Sequence, residues 1–265
     1  MCRMFLSVSE KNELLKVYES LRKAAESDIF YNKVQHNSGW GCFIANKQES
    51  ILYKTLTPIY KDKEILNALK DNQHALKDNQ LYYSIFHARL AGENQPTRGF
   101  VDSHPYVIYT DDSLIALAHN GSIEKNAVSK ELNLRPELYT DTEILALLFK
   151  KFQEYDIEKA LGEVNKYIKD IGAFNGTFNV IAIKIKRQES TISLSSACVS
   201  DYPNEENKKY RTMILFNNGK TFLAMSSTVA YYYGIIDENL ELKNTNSKIC
   251  DIGKVYSSNI LLSKA

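Results

Sequence analysis

Downstream of Gly172 the chain is cut into short apolar runs at 178–185, 191–199, 212–216 and 221–225, with Asn218-Gly219 between the last two. Runs of this length, rich in β-branched and aromatic residues and bounded by turn residues, read as strands, and Asn-Gly between two of them is a strong hairpin signal. Strand-like runs also occur upstream, at 42–45, 51–53, 81–90 and 114–118. Helical stripes lie among them. Leu14, Tyr18, Leu21 and Ala25 mark a helix within 9–27, and Leu145, Leu148 and Phe152 mark a second. Leu161, Val164 and Ile168 mark a third across 156–171. Strands in both halves around central helices predict a layered α+β architecture.

Local signals refine the reading. Thr140 with Glu143 three residues on fits a capping box opening the second helix. Leu-Lys-Asp-Asn-Gln occurs at 69 and again at 76, a period that suits a local duplication in one surface helix. Residues 201–209 are polar and loop-like, and Tyr231-Tyr232-Tyr233 reads as strand packing with polar tips. No Pro/Gly/Ser linker divides the chain, so 1–265 is expected to be a single domain.

Composition excludes several classes. Hydrophobic residues make up 44% and charged residues 25%, the mix of a folded globular chain. The 33 basic and 32 acidic residues nearly cancel, leaving no field for nucleic acid or an anionic membrane. No stretch approaches the ~18 apolar residues of a membrane span, and 4–8 is too short for a signal-peptide core. The expected location is cytoplasmic. The four cysteines form no C-x-x-C pair, and the five histidines have no zinc-ligand spacing, so neither metal nor cofactor is expected. No Gly-rich phosphate loop is present either.

Four features carry chemistry, each with a plainer alternative. Cys2 becomes the first residue if Met1 is removed, as is usual before a small residue. Its thiol then lies beside an α-amine, a group that ordinarily titrates at about 7.7–8.0. Otherwise it is simply a small residue near the terminus. His119-Asn120-Gly121 ends an apolar run, where an Asn side-chain N–H and a Gly backbone N–H could hold an oxyanion, or where the chain simply turns. Arg89 stands inside an apolar strand pattern and requires a carboxylate partner, either a substrate or a structural acid. Asp141 sits in the first turn of a helix, where the dipole favours an acid with or without a substrate ammonium.

Taken in chain order, Met1-Cys2, His36-Asn37-Ser38-Gly39-Trp40-Gly41, His87-Ala88-Arg89-Leu90-Ala91, His104-Pro105-Tyr106, His119-Asn120-Gly121-Ser122-Ile123 and Asp141-Thr142-Glu143 resemble the class II glutamine amidotransferases. These belong to the N-terminal nucleophile hydrolases. The strand start after Gly172 and Met225-Ser226-Ser227 resemble later parts of the same family, and the likeness covers most of the chain. The Gly-Trp-Gly and His-Pro-Tyr segments look more like the small stand-alone members than the synthase-fused ones.

The resemblance implies a four-layer αββα sandwich, with two antiparallel sheets between helical layers. It implies Cys2 as nucleophile and its free amine as proton acceptor, with Asn120 and Gly121 as the oxyanion hole. Arg89 would bind the glutamine α-carboxylate and Asp141 its α-ammonium, while Trp40 and His36 belong to a loop near the nucleophile. A separate synthase subunit would accept the ammonia, or glutamate would be the end product. Two positions depart from the family pattern. Gly92 stands where many members carry a hydroxyl residue, and Ser38 where small relatives often carry Asp. Two alternatives remain open: a hydrolase of γ-glutamyl conjugates using the same nucleophile, and a non-catalytic regulatory or binding subunit that keeps the fold.

Overall fold

The computed structural model describes residues 2–64, 67, 69, 76–92, 98–188, 191–202 and 208–258. Its first sheet is built from β1 (Arg3–Glu10), β2 (Trp40–Ala45), β3 (Ser50–Thr55), β4 (Leu81–Ala88), β9 (Met213–Asn217), β10 (Phe222–Ser226) and β11 (Ser247–Ile249). The second contains β5 (Tyr106–Tyr109), β6 (Ser113–Ile123), β7 (Phe174–Gln188), β8 (Thr191–Asp201) and β12 (Val255–Ser257). The spatial orders are β11-β9-β10-β1-β4-β2-β3 and β12-β8-β7-β6-β5. All of these pairings are antiparallel.

The central strands of both sheets are buried on both faces, which is why they read as continuous apolar runs rather than as alternating ones. The two-residue period appears in what each side chain meets. On β1, Phe5 packs toward α1 (Lys11–Glu26), while Met4, Leu6 and Val8 face the opposite sheet. On β7, Val180 and Ala182 face the helices of the second layer, whereas Ile181 and Ile183 fill the space between the sheets.

Helices α2 (Lys125–Leu132), α3 (Asp141–Leu148) and α4 (Ile157–Asp170) cover the second sheet. A single turn, α5 (Lys208–Arg211), leads into β9, and α1 and α6 (Ser227–Tyr233) cover the first sheet. The result is the expected αββα sandwich.

Local expectations fared unevenly. Asn218-Gly219 turns β9 into β10, with the Asn218 N–H donating to the Thr221 carbonyl at 3.2 Å. The 156–171 helix is observed as α4, capped by the Asp156 side chain, which accepts from the Lys159 N–H at 2.8 Å. The capping box at 140–143 is half formed. Thr140 Oγ1 accepts from the Glu143 N–H at 3.0 Å, while Glu143 turns away to pair with Arg98 at 2.7 Å.

Tyr231-Tyr232-Tyr233 is helical rather than a strand, and ends α6 at Gly234 in the left-handed region with φ 92°. The second Leu-Lys-Asp-Asn-Gln copy is not a helical face. Leu76 is buried, Asn79 turns at φ 60°, and the chain then enters β4. The positions 70–73 of the first copy and the 203–207 part of the polar loop lie outside the described residues.

Candidate active site

The site lies where the ends of β1, β4 and β6 meet the start of α3. Cys2 precedes β1 and therefore falls outside its ladder, whose first pair is Arg3 with Ala88. Its backbone is held by side chains instead. The Cys2 N–H donates to Asn120 Oδ1 at 2.8 Å, and the Cys2 carbonyl accepts from Arg3 Nη1 at 3.1 Å. Its Sγ accepts from the Leu90 N–H at 3.4 Å. Cys2 opens onto a cleft of about 240 Å³, shared with Arg89, Gly92, Gly121, Asp141 and others.

The turn, one of the two readings of His119-Asn120-Gly121, does not form. The apolar run stops there, but β6 continues to Ile123, with Asn120 opposite Asn179 and Gly121 opposite Phe178 on β7. The register then shifts before Ile123. Gly121 is forced by close packing, because a Cβ there would lie 1.8 Å from the Thr177 carbonyl oxygen. Asn120 is buried, and its Nδ2 has no hydrogen-bond partner among the described residues. An unsatisfied buried amide costs stability. Asn120 itself is not among the residues that line the cleft, although its neighbour Gly121 is.

Arg89 follows β4 and is 7% exposed. Its backbone is fixed by the loop containing Gly39: the Arg89 N–H donates to the Gly39 carbonyl at 2.9 Å, and the Ser38 N–H donates to the Arg89 carbonyl at 3.0 Å. Ser38 Oγ also accepts from the Ala91 N–H at 3.1 Å. Gly39 takes φ 95°, which favours glycine. Among the described residues the Arg89 guanidinium has no carboxylate partner, so its charge is left facing the cleft.

Asp141 Oδ1 accepts from the Thr142 N–H at 2.8 Å, and its side chain likewise makes no ion pair among the described residues. An unpaired cation and an unpaired anion therefore line one cavity, the arrangement that receives an α-amino-acid zwitterion.

The cleft also contains residues that sequence reasoning did not place there. Asp102 is fully buried and is clamped by Arg98, whose Nε lies 2.9 Å from Oδ1. His104 lines the cleft and bonds His87, with Nδ1 and Nε2 2.7 Å apart. Burial holds both imidazoles well below the ordinary histidine pKa, as does the positive charge nearby, so each is neutral. His119 is held low by burial as well, with Asp141 opposing. A buried neutral histidine pair was foreshadowed only by the His-Pro-Tyr and His-Ala-Arg segments themselves.

Trp40 and His36 do not line the cleft. Trp40 is fully buried on the α1 side of the first sheet, against Tyr18, Tyr53 and Phe86, and its Nε1–H donates to Asp62 at 3.1 Å. It shares the face of Cys42 and Ile44 on β2, the face that packs under the helices. His36 is fully buried and bonds Asp28 at 2.9 Å. Their loop supports Arg89 from behind.

Among the described residues there is no group of three or more His, Cys, Asp or Glu side chains that could hold a metal ion, and no helix long and apolar enough to cross a membrane.

No family model matches the chain. A 94-residue segment is 36% identical to a glutamine–fructose-6-phosphate aminotransferase (isomerizing) of Fusobacterium nucleatum, covering 34% of this chain and 15% of that protein. An allosteric regulatory enzyme of purine biosynthesis superposes with a TM-score of 0.57 at 14% identity, over 98% of this chain and 49% of its own. The glutamine phosphoribosylpyrophosphate amidotransferase of B. subtilis, complexed with ADP and GMP, gives 0.55 at 13% identity, over 98% and 50%. The fold is that of the class II glutamine amidotransferases. The chain spans about half the length of these two solved structures.

Proposed function

We propose that this chain hydrolyses the side-chain amide of glutamine, with Cys2 as the nucleophile once Met1 has been removed. The observation that carries this reading is a cation and an anion near Cys2 that make no ion pair among the described residues. The Arg89 and Asp141 charges face the cleft, and Asn120, whose Oδ1 accepts from the Cys2 nitrogen, has a buried Nδ2 with no partner among the described residues.

Arg89 takes the substrate α-carboxylate and Asp141 its α-ammonium, which brings the side-chain amide to the thiol. The Cys2 α-amine takes the thiol proton, and Sγ forms a bond to the amide carbon. Asn120 Nδ2–H and the Gly121 N–H stabilise the oxyanion. The α-ammonium of Cys2 passes that proton to the amide nitrogen, the C–N bond breaks and ammonia leaves. Water then adds to the glutamyl thioester, the amine again takes the proton, and glutamate departs with the thiol restored. Asn120 Oδ1, which accepts from the Cys2 nitrogen, keeps the amine oriented throughout. The ammonia is passed to a separate synthase subunit, or the chain acts as a plain glutaminase in the cytoplasm.

Gly92 lines the cleft without a side chain, which favours a second reading, a γ-glutamyl conjugate with a larger leaving amine. Intact mass after treatment with a glutamine-analogue electrophile tests the nucleophile, with Cys2→Ala as control. One adduct on Cys2 of a chain lacking Met1 is the expected result. An adduct on another cysteine, or full activity with Met1 retained, would overturn the mechanism. Release of ammonia from glutamine, against release of a larger amine from γ-glutamyl amides, separates the two substrates.

A further inference from the structure

Behind Cys2, on the α1 side of the first sheet, lies a buried charged cluster none of whose members lines the cleft. Arg3, Asp28 and His36 are all fully buried. Arg3 Nε donates to Asp28 Oδ2 at 2.5 Å, and His36 Nε2 lies 2.9 Å from the same oxygen. The Thr228 hydroxyl, at the start of α6, donates to Asp28 Oδ1 at 2.5 Å. Arg3 is further confined by the Tyr210 ring, 4.1 Å below its guanidinium, and by the Tyr210 carbonyl at 3.2 Å. Its Nη1 also donates to the Cys2 carbonyl.

A salt bridge taken wholly out of water rarely adds net stability over an apolar replacement. What this one does is fix a direction. Cys2 has no strand partner for its own backbone, so its placement depends on Asn120 at its nitrogen and Arg3 at its carbonyl. The guanidinium is planar and forked, so Asp28 on one edge sets where the other edge points. His36 then sets Asp28. It has no charge to contribute, because burial holds its pKa down against the raising effect of Asp28. Its function there is to donate Nε2–H.

We infer that Arg3, aligned by Asp28 and His36, is the positioning residue for the Cys2 nucleophile. His36 thus acts on the thiol through two intervening side chains rather than by touching substrate. The inference rests on the reading of Cys2 as nucleophile.

The test compares His36→Leu, His36→Gln and Arg3→Lys in the full chain. Gln can place an N–H where His36 Nε2 stands, whereas Leu cannot. Lys keeps the charge of Arg3 but cannot reach Asp28 and the Cys2 carbonyl together. We expect His36→Leu and Arg3→Lys to lower kcat on glutamine about tenfold or more, with KM within about threefold, because small misplacements of a reacting group are costly. His36→Gln should stay close to wild type in both constants.

The rate of Cys2 alkylation by iodoacetamide, read by peptide mass, provides an arm that needs no substrate. It should fall in the same order, with unfolding midpoints identifying any variant that does not fold. Unchanged alkylation and unchanged kcat in folded His36→Leu and Arg3→Lys would overturn the inference, as would a loss confined to KM. Failure of the underlying reading looks different: full activity in Cys2→Ala, whatever the His36 variants do.

Discussion

Asn120→Asp isolates the oxyanion contribution more cleanly than an alanine substitution does. The proposed mechanism gives Asn120 two tasks, one for each side-chain atom. Oδ1 accepts from the Cys2 nitrogen at 2.8 Å, and Nδ2 has no partner among the described residues. Aspartate keeps an oxygen where Oδ1 stands and replaces the amide donor with an acceptor, so the anchor survives and the donor is lost. Removing one oxyanion-hole donor typically costs about 2.7–4 kcal/mol of transition-state stabilisation. That corresponds to a fall in kcat of roughly 10²–10³-fold.

Arg89 and Asp141 are untouched, so KM for glutamine should stay within a few-fold. The carboxylate also introduces a negative charge beside the Cys2 amine. This favours the ammonium form and raises that amine's pKa, so the acid limb of kcat/KM moves to higher pH. Steady-state ammonia release across roughly pH 5–9, a window spanning the ordinary titration range of an α-amine, reads both effects. A kcat within tenfold of wild type, or a loss confined to KM, would refute the assignment of Nδ2. Asn120→Ala should be worse than Asn120→Asp in Cys2 alkylation rate, because only alanine removes the anchor.

Arg89→Met should raise KM for glutamine by roughly 10–100-fold, the value of about 1.5–3 kcal/mol for charge-assisted hydrogen bonds, while leaving the unfolding midpoint unchanged or higher, since no carboxylate among the described residues loses a partner. Gly121→Ala should destabilise by about 2 kcal/mol or more in denaturant titrations, because its methyl would fall 1.8 Å from the Thr177 carbonyl oxygen. Asp28 is pushed up by burial but pulled down further by Arg3 and by the His36 and Thr228 hydrogen bonds, to about 2 from an ordinary 3.8. Its folded-state value is depressed, so its contribution of about 2 kcal/mol is present above pH 3.8 and is lost as pH falls through 2; acid titration of stability should be flatter in that window for Asp28→Asn.

The layers were legible because the central strands are buried on both faces, and apolar runs survive that double burial in the sequence. The same property hid which face each residue takes. Trp40, Cys42 and Ile44 pack under helices while Phe43 and Ala45 meet the other sheet, yet all five are apolar or small. Nothing in the alternation says which parity reaches the cleft, so it offered no check on the expectation, implied by the family resemblance, that Trp40 lies near the nucleophile. Tyr231-Tyr232-Tyr233 carried no period at all, and only Gly234 marked the helix end.

The two buried arginines show the sharper limit. Arg3 and Arg89 each sit at an apolar strand end, each demanding a counter-charge, and only Arg89 drew notice. Arg3 finds Asp28 from beyond the end of α1, a partner that spacing does not reveal. Arg89 finds no carboxylate among the described residues. The same sequence signal thus marks a scaffold in one case and, in the proposed reading, a substrate contact in the other. What separates them is whether the fold itself brings an acid, and that is decided only by tertiary packing.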